Sequence, residues 1–178
     1  MKKLVSITIC LLALTVTFCA AAENVLTFDP ALVEQMGLEG EFVALEDFGL
    51  KFYLPGPLTA REVTAEQADQ GTYALFATAD ASSIMSIGYA PVTDAQGNAI
   101  GEMEALAQMY VASGASEVEM GELNGLPCIS YSLPEAAVSG VAFLMDSSSQ
   151  LTFNFAPMTD ENYQAVVMAI ISSIMPLE

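Results

Sequence analysis

The sequence contains no histidine and no tryptophan, and it is poor in basic residues, with four Lys and Arg against 22 Asp and Glu. Without histidine, neither a Ser-His-Asp nor a Cys-His catalytic centre can be assembled, and the most common metal ligand is missing. Lys2 and Lys3 lie at the start of the sequence, so Lys51 and Arg61 are the only basic residues in the rest of the chain. Two cations cannot neutralise enough phosphate groups to hold nucleic acid or an anionic membrane surface, so we exclude both as partners.

Cysteine is also scarce. Cys10 and Cys19 lie in the first 22 residues, which leaves Cys128 alone in the remainder. A single cysteine cannot form an internal disulfide, so a small disulfide-stapled scaffold is excluded. Cys128 stands beside Ile129 within an apolar stretch, which predicts a buried, unreactive free thiol rather than a nucleophile. Stability must therefore come from packing, for which the 53% of hydrophobic residues are sufficient.

The first 22 residues predict a secretory signal peptide. A basic start is followed by the uncharged residues 4–22, which end in three alanines before Glu23. We expect cleavage after Ala22 and an extracytoplasmic, secreted protein. Two alternatives stay open: residues 16–19 resemble a bacterial lipoprotein box, which would tether the protein through a lipidated Cys19, and the uncharged run could persist as a membrane anchor. All three place the domain on the same side of the membrane.

Turn signals and hydrophobic periodicity predict the secondary structure after the signal. Asn124-Gly125 supplies the positive φ angles of a type I′ turn, so it predicts a hairpin. Pro127 predicts an edge or bulge position, because proline cannot donate to the sheet. Residues 141–145 are apolar at every position, as in a strand covered on both faces. We predict helices over 30–36, 102–113 and from an N-cap at Thr159 to Pro176; strands are predicted over 41–46, 50–54, 72–79, 84–90, 117–123, 126–133, 141–145 and 151–155.

These elements predict an α+β protein, a three-layer α/β/α sandwich with a central, mainly antiparallel sheet. Short turns join consecutive strands, which implies antiparallel pairing, and two amphipathic helices need opposite faces on which to pack. Residues 23–39 would form an N-terminal extension with a short helix, and residues 40–178 a single domain.

Three segments resemble the PsbP-like fold. These are the strand 49–55 (GLKFYLP), the hairpin turn 123–127 (LNGLP) and the closing helix 163–174, and the resemblance spans about residues 40–176. Members of that fold include a photosystem extrinsic subunit, a Ran-binding nuclear import factor and many small secreted bacterial proteins. No residue here matches the functional sites of the first two, so the resemblance implies the fold and a bacterial, secreted setting.

Two acidic motifs invite a calcium interpretation. Residues 94–99 begin like an EF-hand loop, but Ala99 and Ala105 occupy the required glycine and glutamate positions, which favours a plain polar turn. Glu117, Glu119 and Glu122 predict an acidic edge strand, which discourages sheet aggregation. A weak calcium site is the alternative, and its candidate ligands are Glu102, Glu104, Glu117 and Glu119.

The sequence disfavours two further chemistries. Paired carboxylates could hydrolyse glycosides, but such a site needs a cleft with aromatic platforms, and the chain has no tryptophan. The methionines, including Met103, Met109, Met120, Met145, Met158, Met168 and Met175, fall mostly on apolar stripes and are interpreted as core filler rather than a soft-metal site.

We therefore expect a secreted or surface-tethered bacterial domain that binds an unknown protein or cell-envelope partner, without a cofactor and without catalysis. A small carboxylate-dependent hydrolase is the rival hypothesis. A pair of buried carboxylates with raised pKa values in a deep cleft would distinguish it.

Overall fold

The described part of the chain, residues 28–94 and 96–177 of a computed structural model, alternates short helices with antiparallel strands. The predicted signal peptide, its predicted cleavage site and Cys19 lie outside the described residues. The helices are α1 (Pro30–Gln35), α2 (Ala65–Asp69), α3 (Met103–Ala112) and α4 (Glu161–Ser172). The strands are β1 (Gly40–Leu45), β2 (Leu50–Pro55), β3 (Thr59–Arg61), β4 (Thr72–Ala77), β5 (Ile84–Pro91), β6 (Ser116–Leu123), β7 (Leu126–Leu133), β8 (Val138–Leu144), β9 (Ser149–Ala156) and β10 (Met175–Pro176).

Seven strands form the central sheet in the order β3-β4-β5-β9-β8-β7-β6, and every neighbouring pair is antiparallel. Helix α4 packs on one face and α3 on the other. In β8, Val141 and Phe143 belong to the core under α4, whereas Ala142 between them belongs to the core under α3. The prediction of an α+β sandwich with a doubly covered strand at this place is confirmed.

The first hairpin forms a separate small sheet. Strands β1 and β2 pair as predicted, with Gly49 at φ 63° in the connection. The other neighbour of β2 is β10, so this hairpin does not belong to the central sheet. The buried Phe52 of β2 lies edge-on to Phe76 and Phe153 of the central sheet, with ring centroids 5.9 and 5.5 Å away. The hairpin therefore covers the face that carries α4.

The closing helix begins and ends differently from the prediction. Its N-cap is Asp160 and not Thr159, because the Asp160 Oδ1 atom accepts hydrogen bonds from the backbone N–H groups of Asn162 (2.8 Å) and Tyr163 (3.4 Å). The helix ends at Ser172, before Pro176, because the following residues pair with β2 as β10. The three-residue strand β3 was missed, since all its residues are exposed and show no alternation.

The local turn chemistry agrees with the prediction. Asn124 and Gly125 have φ angles of 49° and 85°, as a type I′ turn requires. Pro127 pairs with β6, whereas the pairing of β7 with β8 starts only at Ile129, so the proline lies where its missing N–H is harmless. In the part of the chain described here, no helix is both long and apolar enough to cross a membrane.

The N-terminal extension packs onto the small sheet. The ring of Phe28 lies 5.4 Å from that of Phe42 and 5.3 Å from that of Tyr53. The Tyr53 hydroxyl donates a 2.9 Å hydrogen bond to the carbonyl of Leu38, and Val33 of α1 is buried. The described part of the extension is therefore attached to the domain.

Candidate functional site

The acidic residues proposed as calcium ligands are not gathered into a metal site. Within residues 28–94 and 96–177, no group of three or more Asp, Glu or Cys side chains is placed to hold an ion. Glu102 and Glu104 stand at the start of α3, and Glu117 and Glu119 belong to β6, the edge strand of the central sheet. The Glu117 carboxylate accepts a 2.9 Å hydrogen bond from the Ser132 hydroxyl. The prediction of an acidic edge strand is confirmed.

Calcium should therefore stabilise the protein only as any salt does. The large negative charge predicts a modest, non-saturable rise in melting temperature through screening of self-repulsion. The measurement is thermal unfolding in calcium chloride against sodium chloride of matched ionic strength. A saturable rise specific to millimolar calcium would contradict this prediction, and Glu102, Glu104, Glu117 and Glu119 would then be the first residues to replace.

The segment that begins like an EF-hand is a polar turn, as predicted. Its carboxylate binds its own backbone: Asp94 accepts 2.8 Å hydrogen bonds from the N–H groups of Gln96 and Asn98. The Asn98 side-chain amide donates a third, of 3.0 Å, and these bonds lower the pKa of Asp94. Its oxygens are thus already committed to closing the turn.

Cys128 is buried, as the sequence predicts, with 2% of its surface exposed. Burial, and secondarily the negative charge of Glu122, raises the pKa of its thiol to about 12. Most of the methionines named as core filler are half-buried, but Met120 on the edge strand is 51% exposed, so that prediction was wrong for Met120.

The described carboxylates do not form the buried pair that a hydrolase would need. Every described Asp is exposed, and every described Glu is exposed or half-buried. The carboxyl pKa shifts found are all downward, at Asp80, Asp94 and Asp146, because each accepts local hydrogen bonds. A general acid needs the opposite shift.

A pocket does open on the face of the central sheet that carries α3. This helix contacts β6 and β7 and leaves the side of β5 and β9 open. We call it the sheet-face pocket, and its volume is about 320 Å³. The residues that line it are Gln70, Gly71, Thr72, Ser86, Gly88, Tyr89, Ala90, Tyr110, Tyr131, Leu133, Gln150, Thr152 and Asn154.

Strand alternation produces this lining. On β9, Leu151, Phe153 and Phe155 face the core under α4, so Thr152 and Asn154 project from the opposite face. On β5 the equivalent positions carry only small side chains. A Cβ atom added at Gly88 would lie 2.7 Å from the Thr152 Oγ1 atom. The glycine therefore keeps the floor of the pocket open.

The polar groups of the pocket are held by one another. The Tyr131 hydroxyl donates to the Asn154 Oδ1 atom, and the Asn154 Nδ2 group donates to the Thr152 Oγ1 atom over 3.2 Å. Beside them the Tyr110 hydroxyl donates a 3.0 Å hydrogen bond to the Gln150 Oε1 atom. The two tyrosine rings lie 4.3 Å apart at 35°. The wall is therefore pre-ordered.

The sheet-face pocket is uncharged. None of its lining residues is Asp, Glu, Lys or Arg. Burial raises the pKa of Tyr110 to about 12 and also raises that of Tyr131, so both phenols are neutral at physiological pH. In a chain with a formal charge of −18, a neutral polar pocket of this size is a distinct feature.

Comparison with known proteins bears on the fold. The structure is similar to the solution structure of the cyanobacterial PsbP protein CyanoP from Synechocystis sp. PCC 6803, with a TM-score of 0.52 and 12% sequence identity over 78% of this chain and 93% of CyanoP. The chain has the PsbP-like fold. A crystal structure from Bacteroides thetaiotaomicron matches at a TM-score of 0.46 and 12% sequence identity. The match covers 78% of this chain and 49% of the Bacteroides chain. No protein-family model and no curated protein sequence matches this sequence.

The sequence predicts the PsbP-like fold but does not predict the pocket. Two strands carry the signal for the pocket, because their alternate positions are polar or small. These positions are Ser86 and Gly88 on β5, and Gln150, Thr152 and Asn154 on β9. Both strands lie inside the sheet, where an α/β/α sandwich is expected to bury apolar side chains on both faces. A central strand with one polar face indicates a part of the sheet that no helix covers.

Proposed function

We propose that this chain acts outside the cytoplasm as a non-catalytic binding or accessory module, with the sheet-face pocket as its ligand site. One observation carries the proposal. In a strongly acidic protein, a pocket of about 320 Å³ is lined by hydroxyl, amide and aromatic groups and by no charged side chain. Volumes of this order accommodate small ligands, and a few fixed polar groups in such a pocket set orientation and specificity.

The chemistry of the lining selects a neutral ligand that carries hydroxyl or amide groups. A charged ligand would lose water without gaining a counter-charge, which costs free energy. An anion would in addition be repelled by the net negative field of the protein. The Gln150 amide and the Tyr110 and Tyr131 rings can supply hydrogen bonds and flat apolar surface to a sugar or a small amide.

The absence of histidine from the sequence, and the lack of any buried carboxylate among the described residues, support binding without turnover. The basic and apolar start of the sequence supports a location outside the cytoplasm. The fold alone does not assign a function, because function depends on the site. The partner class remains the one that we expect from the sequence, an unknown protein or cell-envelope component.

The test is a binding titration followed by NMR. N-acetylglucosamine is a neutral probe with both hydroxyl and amide groups, and glucosamine and glucuronate are its cationic and anionic counterparts. We expect saturable shifts of backbone amide signals on β5 and β9 with the neutral probe alone, and recovery of the unchanged probe. Stronger binding of either charged probe, no saturable shift with the neutral one, or its hydrolysis would contradict the proposal.

A blocking variant locates the site. Ser86 lines the pocket and is half-buried, so Ser86→Phe should fill the space and abolish the shifts. The matched control is Ser116→Phe, at the exposed start of β6 and outside the pocket, which should bind as the wild type does. Equal binding of N-acetylglucosamine by both variants would show that the binding site is not the sheet-face pocket.

The proposed location makes a prediction about processing. We expect the mature N-terminus to be Glu23, because the small residues before it suit a signal peptidase. Mass spectrometry of the protein recovered from the medium and from membranes measures this directly. A membrane-bound form with a lipid on Cys19, or one that retains residues 1–22, would show that an anchored alternative is correct.

A further inference from the structure

A second cleft lies on the opposite face of the central sheet, at the edge of the small sheet. Its residues come from two connections and two strands: Asp47 and Phe48 precede β2, Met145 and Asp146 follow β8, and Tyr73 and Tyr89 lie on β4 and β5. Tyr89 follows the alternation of Met85 and Ile87, which face the core under α4. We call this feature the aromatic cleft; its volume is about 440 Å³.

Three aromatic rings form its wall. The Phe48 centroid lies 4.9 Å from that of Tyr73 at 73°, and 5.0 Å from that of Tyr89 at 49°. Tyr73 and Tyr89 are 42% and 40% exposed, unusually open for side chains of this size. Their hydroxyls are tied down: that of Tyr73 donates 2.8 Å to the Asp47 Oδ2 atom, and that of Tyr89 donates 3.1 Å to the Ser149 Oγ atom. The rings are therefore held in place while remaining accessible.

The same cleft is negatively charged. Asp47 and Asp146 are both exposed carboxylates in its lining, and hydrogen bonds from Ser148 and Ser149 lower the pKa of Asp146. The hydrogen bond to Asp47, then burial, and then the negative charges of Asp47 and Glu46 raise the pKa of Tyr73.

The described cations do not enter the cleft. The Lys51 Nζ atom lies over the Phe42 ring, 6.0 Å from its centroid, on the small sheet. Arg61 donates a 2.8 Å hydrogen bond to the carbonyl of Thr78. Two carboxylates and three aromatic rings are thus brought together with no positive side chain of the described chain in the lining.

We propose that the aromatic cleft binds an organic ammonium group, with the cation placed against the rings of Phe48, Tyr73 and Tyr89 and neutralised by Asp47 and Asp146. An ammonium group is attracted by the negative faces of aromatic rings, and nearby carboxylates add Coulomb attraction. Neither component alone selects this ligand: carboxylates alone would also attract inorganic cations, and rings alone would also accept a neutral apolar group. The combination favours an alkylated ammonium head or a lysine side chain.

Choline and its uncharged isostere 3,3-dimethyl-1-butanol form the decisive pair of probes, since they share shape and differ in charge. We expect choline to shift the ring signals of Tyr73 and Tyr89 saturably, and to bind more weakly as sodium chloride is raised. The isostere should bind at least about tenfold more weakly. Equal shifts by the two probes, or reproduction of the choline effect by sodium chloride, would overturn the proposal.

The source of the ammonium group is distinguished with N-acetyl-lysine methylamide. Tighter binding of this probe than of choline would support the site with a basic peptide segment as its ligand. Tighter binding of choline would support it with a small quaternary amine. Failure of both to bind would overturn the proposal.

Variants of the aromatic cleft measure how much the carboxylate charge and the aromatic ring each contribute to choline binding. Asp47→Asn keeps an oxygen to accept the Tyr73 hydroxyl and removes one charge, and we expect it to weaken choline binding about three- to tenfold. Tyr73→Leu removes one exposed ring, with an expected loss of about two- to thirtyfold. Glu122→Gln is the control, because it removes an exposed charge from the distant edge strand. If Asp47→Asn and Tyr73→Leu bind choline as the control does, with unchanged circular dichroism, the proposal is wrong.

The aromatic cleft shares Tyr89 with the sheet-face pocket, but Tyr73 lines only the cleft and Ser86 lines only the pocket. Ser86→Phe should leave choline binding intact, and Tyr73→Leu should leave the binding of N-acetylglucosamine intact. Failure of one proposal can therefore be told apart from failure of the other.

Discussion

Replacing Ile170 by alanine should lower the free energy of unfolding by about 2–5 kcal/mol. Ile170 is fully buried on the inner face of α4, where it belongs to the same core as Phe52, Phe153 and Phe155. Removing its side chain withdraws apolar surface from the core and leaves a cavity that the rigid sheet and the small sheet cannot close. Urea unfolding followed by circular dichroism measures the change.

The matched control is Val111→Ala on α3. Val111 is also an aliphatic residue in a helix, but it is 59% exposed, so its replacement should change the free energy by no more than about 0.5 kcal/mol. A loss below about 1 kcal/mol for Ile170→Ala would contradict the packing described here. An equal loss in both variants would show that the effect does not come from burial in the core, because alanine is the better helix former in both cases.

The thiol of Cys128 should react with Ellman's reagent at least about a thousandfold more slowly in the native protein than in urea. Only the thiolate reacts, and raising the pKa from 9.0 to about 12 lowers the thiolate fraction near pH 8 by about tenfold per unit. Burial to 2% exposure slows the approach of the reagent further. The measurement uses the protein that begins at Glu23, in which Cys128 is the only cysteine.

An added Ser116→Cys provides the internal control for that experiment. Ser116 is exposed at the first position of β6, so its thiol should react at the rate found in urea while Cys128 stays protected. Native reactivity of Cys128 within tenfold of the unfolded rate would show that β7 opens or that the thiol is accessible. Reducing agent should leave the melting temperature of the protein unchanged, because Cys128 has no internal partner.

The turns and strands that could be predicted are those determined by residues adjacent in the sequence. Asn124-Gly125 defines its turn through backbone conformations that few other residues adopt, and the alternation of Leu151, Phe153 and Phe155 defines a strand with one buried face. Even the doubly covered β8 could be recognised from its unbroken apolar run. These signals require only the local period of a helix or strand.

The remaining features depend on which distant segments meet. No local pattern predicts that β1 and β2 form a separate sheet. A hairpin with one apolar face can either pair with an edge strand of the central sheet or pack on the face of that sheet. The aromatic cleft has the same origin, since Phe48, Tyr73 and Tyr89 are ordinary apolar positions in their own segments. The N-cap was misplaced by one residue because Thr159 and Asp160 are both good capping residues.

The pairing of β10 with β2 has a consequence for the order in which the chain can fold. The Tyr53 N–H donates 2.7 Å to the Ser173 hydroxyl across 120 residues of sequence, and the Leu177 N–H donates 2.8 Å to the Gly49 carbonyl. Contacts of such separation form late and slow folding. The edge of β2 that pairs with β10 therefore stays open until residues 173–177 are available. The small sheet is therefore completed only after the central sheet can form, and a chain truncated before Ser173 is expected to expose the edge of β2 to chaperones and proteases.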